Sequence, residues 1–199
     1  MSITTYAELQ TAIGNWLARS DLTSFLPDFV TLFEAQAAKK LRVRPMESTA
    51  TLTPASGSAN LPADYLGYRR ATVTSSPRVD MDYVAPSYLQ ALYPNGITSV
   101  PTLFTIEASA IKTRSSDVNT IELLYMAKTP AVSGALNWLF TNHPDAYLFG
   151  SLAEAYMFIK NYQEAALWKA RRDEAFDDIK LLNFREGSGL AVRPMGAFP

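Results

Sequence analysis

The sequence predicts an α+β protein: a helical bundle of two N-terminal and two C-terminal helices, with a small antiparallel β insertion and an extended C-terminal tail. Three observations lead to this class. Apolar residues recur at steps of three and four near both ends of the chain, as in amphipathic helices. Eight of the twelve prolines lie between Pro45 and Pro130, where they exclude long helices. The segment 185–199 contains glycines and prolines that disfavour any regular element.

The first helix is predicted at about residues 5–18, because its apolar side chains share one helical face. Thr5 and Glu8 have the spacing of a capping box, in which each side chain accepts a hydrogen bond from the backbone N–H of the other residue. We therefore expect the first helix to begin directly after Thr5.

The second helix is predicted at about residues 22–43, where apolar residues again recur with helical spacing. Pro27 suits only the first turn of a helix, which favours a start near Leu26. Basic residues cluster from Lys39 to Arg44, at the end where the helix dipole favours cations. The proline that follows ends the helical region.

The β insertion is predicted at about residues 46–126. Apolar and polar residues alternate there with the period of two that is typical of half-buried strands. The strand candidates are residues 46–52, 79–83, 103–109 and 119–127, and a short helix is predicted at 86–92. We expect these strands to form a small antiparallel unit.

Two further helices are predicted at about residues 144–160 and 163–184. The first is apolar over most of its circumference, so we expect it to be buried at the centre of the bundle. The second has an apolar stripe on one side and a charged face on the other. Arg172 and Asp173 are assigned to that charged face.

The composition limits the classes of function. The chain has no cysteine, which excludes disulfides, thiolate zinc sites and cysteine nucleophiles. Its formal net charge of -1 argues against broad electrostatic capture of nucleic acid or of an anionic membrane. No apolar run reaches the roughly 18 residues of a membrane span, and the N-terminus does not resemble a signal peptide. We therefore expect a soluble chain that stays in a cytoplasm.

The only histidine, His143, lies where a helix is predicted to begin. Asn142 or His143 can serve as the N-cap, Pro144 suits the first helical position, and Asp145 places a negative charge in the first turn. A catalytic role would explain His143 alone, and the neighbouring sequence offers it neither a nucleophile nor a metal partner. We therefore assign Asn142, His143 and Asp145 to a helix cap.

Other charged residues have ordinary structural explanations. Asp80 and Asp82 share one face of a predicted strand, but a third metal ligand is missing from their surroundings in the sequence. Arg69, Arg70 and the cluster Lys39–Arg44 can touch phosphate, or can be surface charge. No phosphate-binding loop, nucleophile elbow or zinc-protease motif occurs. The sequence predicts no catalytic residue, no metal and no cofactor.

Three segments, Leu26–Glu47, Leu61–Val73 and Ile121–Phe158, carry a set of short motifs in a fixed order. Together they resemble the head–tail adaptor (connector, head-completion) proteins of tailed bacteriophages. Leu26–Glu47 is similar to the second helix and first strand of that family, and Leu61–Val73 to its Leu-Pro-x-Asp-Tyr-Leu segment. Ile121–Phe158 is similar to a strand, a Pro-x-x-Ser linker, Asn-Trp-Leu, and the Pro-Asp-x-Tyr-Leu start of a core helix. The segments span most of the chain in matching order and carry no catalytic residues.

The resemblance implies a structural protein of the virion neck, assembled in the host cytoplasm. Such adaptors form a ring, expected to have twelve copies, between the portal protein and tail or nozzle proteins. DNA passes through the lumen without sequence-specific binding, and no membrane is involved. The resemblance divides the chain into one adaptor domain, 1–184, and a docking tail, 185–199. The residues expected to dock on the portal or a neighbouring copy are Arg185, Leu190, Val192, Arg193, Met195 and Phe198.

Three other functions remain open from the sequence. The chain can be a tail-tube or tail-fibre attachment component that makes no contact with the portal. It can be a nucleic-acid-binding protein that uses its basic clusters. It can also be a small hydrolase with an unusual site at His143, although the cap assignment argues against this.

Overall fold

The computed structural model describes residues 3–116 and 120–187, with side chains described as far as residue 183. The chain forms two compact units. The helical unit combines Met1–Pro45 with Thr129–Pro199, and the sheet unit consists of Met46–Lys128. The sheet unit is therefore inserted between the N-terminal and C-terminal parts of the helical unit.

Six α-helices and seven strands occur within the described residues. The helices are α1 (Tyr6–Leu17), α2 (Leu26–Lys40), α3 (Pro86–Leu92), α4 (Trp138–Asn142), α5 (Pro144–Phe158) and α6 (Tyr162–Gly187). The strands are β1 (Glu47–Leu52), β2 (Ser58–Asn60), β3 (Tyr65–Val73), β4 (Val79–Tyr83), β5 (Leu103–Glu107), β6 (Ala110–Lys112) and β7 (Ile121–Ala127). Helix α3 belongs to the sheet unit, and the other five helices belong to the helical unit.

The predicted capping box at the start of α1 is confirmed. The Thr5 hydroxyl accepts a hydrogen bond from the Glu8 N–H at 3.2 Å, and Glu8 Oε2 accepts one from the Thr5 N–H at 3.0 Å. These bonds satisfy backbone donors that have no partner inside the helix. Hydrogen bonds that Thr4 donates to the Glu8 carboxylate from its N–H and hydroxyl, and to a lesser degree the one from the Thr5 N–H, hold the pKa of this carboxyl below its usual value.

Helix α5 is the centre of the helical unit, as its apolar sequence predicted. It packs against α1, α2, α4 and α6, and residues on several sides of it are buried. Gly150 shows how closely α2 approaches, because a Cβ built on this glycine would lie 1.9 Å from Cδ2 of Phe33. Only a residue without a side chain allows the two helices to come so near.

The sheet unit contains one seven-stranded sheet in the order β1-β7-β3-β4-β5-β6-β2. Strand β7 lies between β1 and β3 and pairs antiparallel with both. Strands β4 and β5 pair parallel through Asp82 and Tyr83, and α3 lies within the connection between them. The apolar core of the unit is centred on residues from β3, β5 and β7, among them Val73, Phe104 and Leu123.

The predicted fold class is wrong. The chain is a mixed α/β protein with a curled seven-stranded sheet and six described helices, and not a helical bundle with a small antiparallel insertion. Strands β2 and β6 have three residues each, which is too short to show alternation in the sequence. Strand β3 has two irregularities in its pairing and ends with three consecutive buried residues, so its period of two is lost.

Candidate functional site

The predicted cap residues lie at a junction between two helices. Asn142 is the last residue of α4, His143 connects the two helices, and α5 begins at Pro144 with Asp145 in its first turn. The His143 side chain makes no capping hydrogen bond, and its ring lies edge-on to Trp138 with centroids 6.5 Å apart. His143 stands at the N-cap position of α5, and the side chain that caps the preceding helix α4 is Asn137, whose Oδ1 accepts a hydrogen bond from the Phe140 N–H at 2.9 Å.

Asn137 is part of a polar network that joins this segment to α2. Its amide nitrogen donates to the Pro130 carbonyl and to the Tyr147 hydroxyl, both at 2.7 Å. The Tyr147 hydroxyl donates to Glu34 Oε1 at 3.0 Å, and the same oxygen accepts from the Val132 N–H at 2.7 Å. Burial raises the pKa of the Tyr147 phenol, and the Glu34 carboxylate raises it further. The phenol therefore stays protonated as a donor.

This network explains the motifs in the segment between β7 and α5, for which the sequence predicted no contacts. The linker proline, the Asn of Asn-Trp-Leu and the Tyr of Pro-Asp-x-Tyr-Leu are Pro130, Asn137 and Tyr147. All three are joined by hydrogen bonds that the sequence alone did not indicate. These motif residues therefore hold the segment that follows the sheet unit against α2.

A second network surrounds Arg172, which the sequence analysis placed wrongly on the charged face of α6. Its side chain is 2% exposed. Its guanidinium donates to Gln36 on α2 and to Asp173 Oδ1, and it lies over the Phe176 ring at 5.9 Å from the centroid. Gln36 in turn donates to Glu154 on α5, so the network joins three helices.

Asp173 connects this network to the surface. Its Oδ1 accepts from Lys40 Nζ at 2.7 Å and from the Arg172 Nη2 at 2.9 Å. Partial burial pushes the pKa of the Asp173 carboxyl upward, but the hydrogen bonds from Lys40 and Arg172 outweigh burial, and the net pKa is lowered. The carboxylate therefore stays ionised and holds two cations together.

The basic residues proposed for nucleic-acid contact are largely engaged within the chain. Arg69 pairs with Glu47 at 3.0 Å, and Arg70 lies 3.9 Å from Glu122. In the cluster Lys39–Arg44, Lys40 pairs with Asp173. Arg42 donates to backbone carbonyls at the end of α2. These contacts match the structural explanation given for the charges.

The pair Asp80 and Asp82 lies on β4, and both residues are exposed. Asp80 Oδ1 accepts a hydrogen bond from the Thr72 hydroxyl at 2.6 Å. Within residues 3–116 and 120–187, no group of three or more side chains of the metal-binding types lies close enough together to hold an ion. Asp80 thus serves as a hydrogen-bond partner of the neighbouring strand β3.

Exposed apolar residues are abundant on the helical unit. Phe25 packs against Phe158 with ring centroids 5.1 Å apart and the ring planes tilted by 36°, and both rings are exposed at the corner where α5 ends. Trp16 lies edge-on to Trp168 at 5.3 Å and is also exposed. The sheet unit has a similar feature, a stack of Tyr68 on Tyr83 at 5.4 Å. Paired aromatic rings at the surface are candidates for contact with other molecules.

A groove on the helical unit combines apolar and basic side chains. It runs along α2, α5 and the first half of α6 and encloses a volume of about 510 Å³. Its apolar part includes Met157 and Tyr162, which are 53% and 63% exposed. Four cations and a single carboxylate line it: Lys39, Lys40, Lys169 and Arg172 against Glu154. We call it the basic groove.

The predicted docking residues are almost entirely beyond the part of the chain that can be described. Arg185 lies in the last turns of α6, and its side chain is not among those described. Leu190, Val192, Arg193, Met195 and Phe198 lie outside the described residues. Their assignment stays a prediction, as does the division into an adaptor domain at 1–184 and a tail at 185–199.

The described residues offer exposed aromatic side chains and an open groove, and their polar networks join helices to one another. These features are typical of a protein that works by assembling with others. Residues 4–194 match the model of the SU10 adaptor protein family. The chain therefore belongs to this family of phage adaptor proteins, which confirms the family expected from the sequence. No curated protein matched the chain.

Family membership supports a structural role in the phage particle. It favours an adaptor over the hydrolase considered from the sequence. In the described part of the chain, no helix is both long enough and apolar enough to cross a membrane.

Proposed function

We propose that the protein is a head–tail adaptor that forms a closed ring beneath the portal and connects the capsid vertex to the tail. Twelve copies are expected in the ring, and packaged DNA passes through its lumen. The observation that carries the proposal is the family match over residues 4–194, which covers both units of the chain. The protein acts as a structural part and not as an enzyme.

The electrostatics of the chain support this role. A channel that releases DNA must not hold it, and phosphate affinity grows with the number of cations that reach the backbone. The formal net charge is -1, and several basic side chains are already paired with carboxylates in the structure. This favours passage of DNA without sequence-specific binding, and it argues against a nucleic-acid-binding protein.

The exposed aromatic residues support contacts with other proteins of the virion neck. Aromatic side chains supply much of the binding energy at protein interfaces because they bury a large area with few rotatable bonds. The Phe25–Phe158 corner and the Tyr68–Tyr83 stack provide such side chains on the two units. Portal protein on one side and tail or nozzle proteins on the other are the partners we propose, in particles assembled in the host cytoplasm.

The C-terminal segment is the proposed contact with the portal. In this proposal residues 1–184 form the adaptor domain, and the tail at 185–199 docks through its spaced apolar and basic residues. A segment that becomes ordered on a partner loses conformational entropy, and buried apolar side chains offset this loss. Leu190, Val192, Met195 and Phe198 are the apolar side chains available for that purpose.

The experiment is deletion of residues 187–199 followed by a pull-down with the portal protein of the same phage. The deletion should abolish retention on the portal and leave the helical circular dichroism unchanged, because α1 to α5 and most of α6 remain. A matched pull-down with tail proteins distinguishes the adaptor from a tail-tube or fibre-attachment component. Undiminished binding of the shortened chain to the portal would exclude the docking role of this segment.

A further inference from the structure

Helix α6 presents two different faces. Its inner face is buried and includes Arg172, Phe176 and Ile179. Its outer face carries Leu167 and Leu181, which are 52% and 46% exposed although they are large apolar side chains. Residues seven and fourteen positions apart return to the same side of a helix, so these two leucines share one face with Glu174 between them. A helix of 26 residues is about 39 Å long, enough to contact a neighbour at one end and the chain's own core along its length.

The outer face of the second half of α6 is strongly acidic. Glu174 and Asp177 have side chains that are 65% and 76% exposed, and Asp178 is exposed beside them. Glu174 pairs with Arg171 and Asp177 with Lys180 along the helix. Exposed pairs of this kind contribute little free energy and exchange partners readily. We call Glu174, Asp177, Asp178 and Leu181 the acidic face.

The first half of α6 forms one wall of the basic groove, which has the opposite character. Lys39 and Lys169 are exposed cations at this groove, next to the exposed side chains of Met157 and Tyr162. Among the described residues, the side chains of these two lysines make no hydrogen bond and no ion pair. The groove therefore offers two available cations beside an uncovered apolar surface.

The acidic face and the basic groove carry opposite charges, and both include exposed apolar side chains. Within one copy, however, the two surfaces cannot touch. Asp178 follows Lys169 by nine residues on a continuous helix, which separates their Cα atoms by about 13.5 Å along the axis. A second copy meets no such restriction. Contact between two different surfaces of identical chains is head-to-tail, and it closes into a ring when the rotation between copies is suitable.

We propose that the acidic face of one copy docks in the basic groove of the next copy. This inference rests on the proposed ring and specifies which surfaces form it. Leu181 lies against Met157 and Tyr162 of the neighbour, and the acidic side chains lie near Lys39 and Lys169. Chains of net charge -1 then associate through local complementarity that their overall charge does not reveal.

A charge-swap experiment tests the proposal on the full-length chain. The groove variant carries Lys39→Glu and Lys169→Glu, and the face variant carries Asp177→Lys and Asp178→Lys. Each variant alone brings like charges together, so the concentration for half-maximal assembly should rise by about tenfold or more. In an equimolar mixture the reversed groove meets the reversed face, and the original groove meets the original face. Assembly should therefore recover in the mixture.

The control variant carries Arg19→Glu, which changes an exposed residue that lies outside both surfaces. It should assemble like the original chain. Circular dichroism of every variant checks that the helices are retained. If either double variant assembles alone as well as the original chain, or if the mixture does not recover, the proposed interface is wrong while the ring itself stands. If the original chain does not assemble with or without portal, the proposed function fails as well.

The absence of cysteine allows a second test that does not depend on charge reversal. A chain with Lys169→Cys and Asp178→Cys cannot close a disulfide within one copy, because the Cα separation far exceeds the roughly 4.4–6.8 Å that a disulfide spans. Oxidation of the assembled protein should yield a ladder of cross-linked oligomers, whereas each single cysteine variant alone should give no ladder. An intact assembly that gives no ladder from the double variant would contradict the interface.

Discussion

At the scale of single residues, Arg172 is the feature that most distinguishes this helical unit. A guanidinium carries five donors in a rigid plane, and burial is tolerated only when those donors find acceptors. Here Gln36 and Asp173 accept from it, and the Phe176 ring covers its side. The side chain thus fills space in the core and also links α6 to α2 by a hydrogen bond.

We predict that Arg172→Ala lowers the free energy of unfolding by about 2–5 kcal/mol, the range for removing a large side chain from a core. Asp173 remains ionised and paired with Lys40, so the loss arises from the cavity and from Gln36 losing its donor. Arg171→Ala is the matched control, because that exposed neighbour pairs only along the surface of the helix. Its effect should stay within about 0.5 kcal/mol. Urea denaturation measures both, and equal effects would contradict the assigned burial.

The sequence allowed some of these residues to be assigned correctly and not others. The capping box at Thr5 and Glu8 was predictable because its bonds join residues three positions apart. Arg172 was misassigned because a charged residue was expected to face solvent. Its position four residues before Phe176 places it on the buried side of α6. The partners of Tyr147 lie on α2 and in a loop, and no local pattern indicates contacts between such distant segments.

At the scale of elements, the fit between α2 and α5 controls the helical unit. The close approach of Phe33 to Gly150 leaves no room for a methyl group. The equivalent probe at Gly14 on α1 meets no atom within 4 Å. Two glycines in helices therefore have opposite structural roles, one required by packing and the other merely tolerated.

We predict that Gly150→Ala destabilises the protein by about 1–3 kcal/mol, the usual effect of overpacking a core. Gly14→Ala should instead stabilise it by about 0.5–1 kcal/mol, because alanine is the better helix former and space is available. Thermal unfolding followed by circular dichroism measures both changes. The same sign of effect for the two substitutions would disprove this account of the packing.

Element prediction succeeded where periodicity was long and failed where it was short. The central burial of α5 followed from a long apolar run. Strands β2 and β6 pair with each other over three residues, and such short segments have no period to detect. The many prolines indicated a β region correctly, but they gave no measure of how large the sheet would be.

At the scale of the whole molecule, the sequence identified the family but not the size of the sheet, which has seven strands and not the few of a small insertion. The sheet order brings β7, the last strand among the described residues, between β1 and β3, and such pairings over long separations cannot be read from local patterns. The family match over residues 4–194 nevertheless covers the chain almost completely. An ordered set of short patterns proved more informative about function than about architecture.

The proposed role depends on assembly, because a single copy has surfaces that remain uncovered. The Phe25–Phe158 corner and the leucines of α6 are exposed in one copy. A ring that contacts the portal would cover part of this area and leave a lumen for DNA. The stoichiometry and the symmetry of that assembly are consequently the properties that separate an adaptor from a protein that acts as a monomer.

Native mass spectrometry of the full-length protein mixed with the portal protein of the same phage tests this most directly. The account predicts one complex in which the mass fits a closed ring of twelve copies bound to the portal. A protein that stays monomeric at every concentration, and is absent from the portal peak, would contradict it.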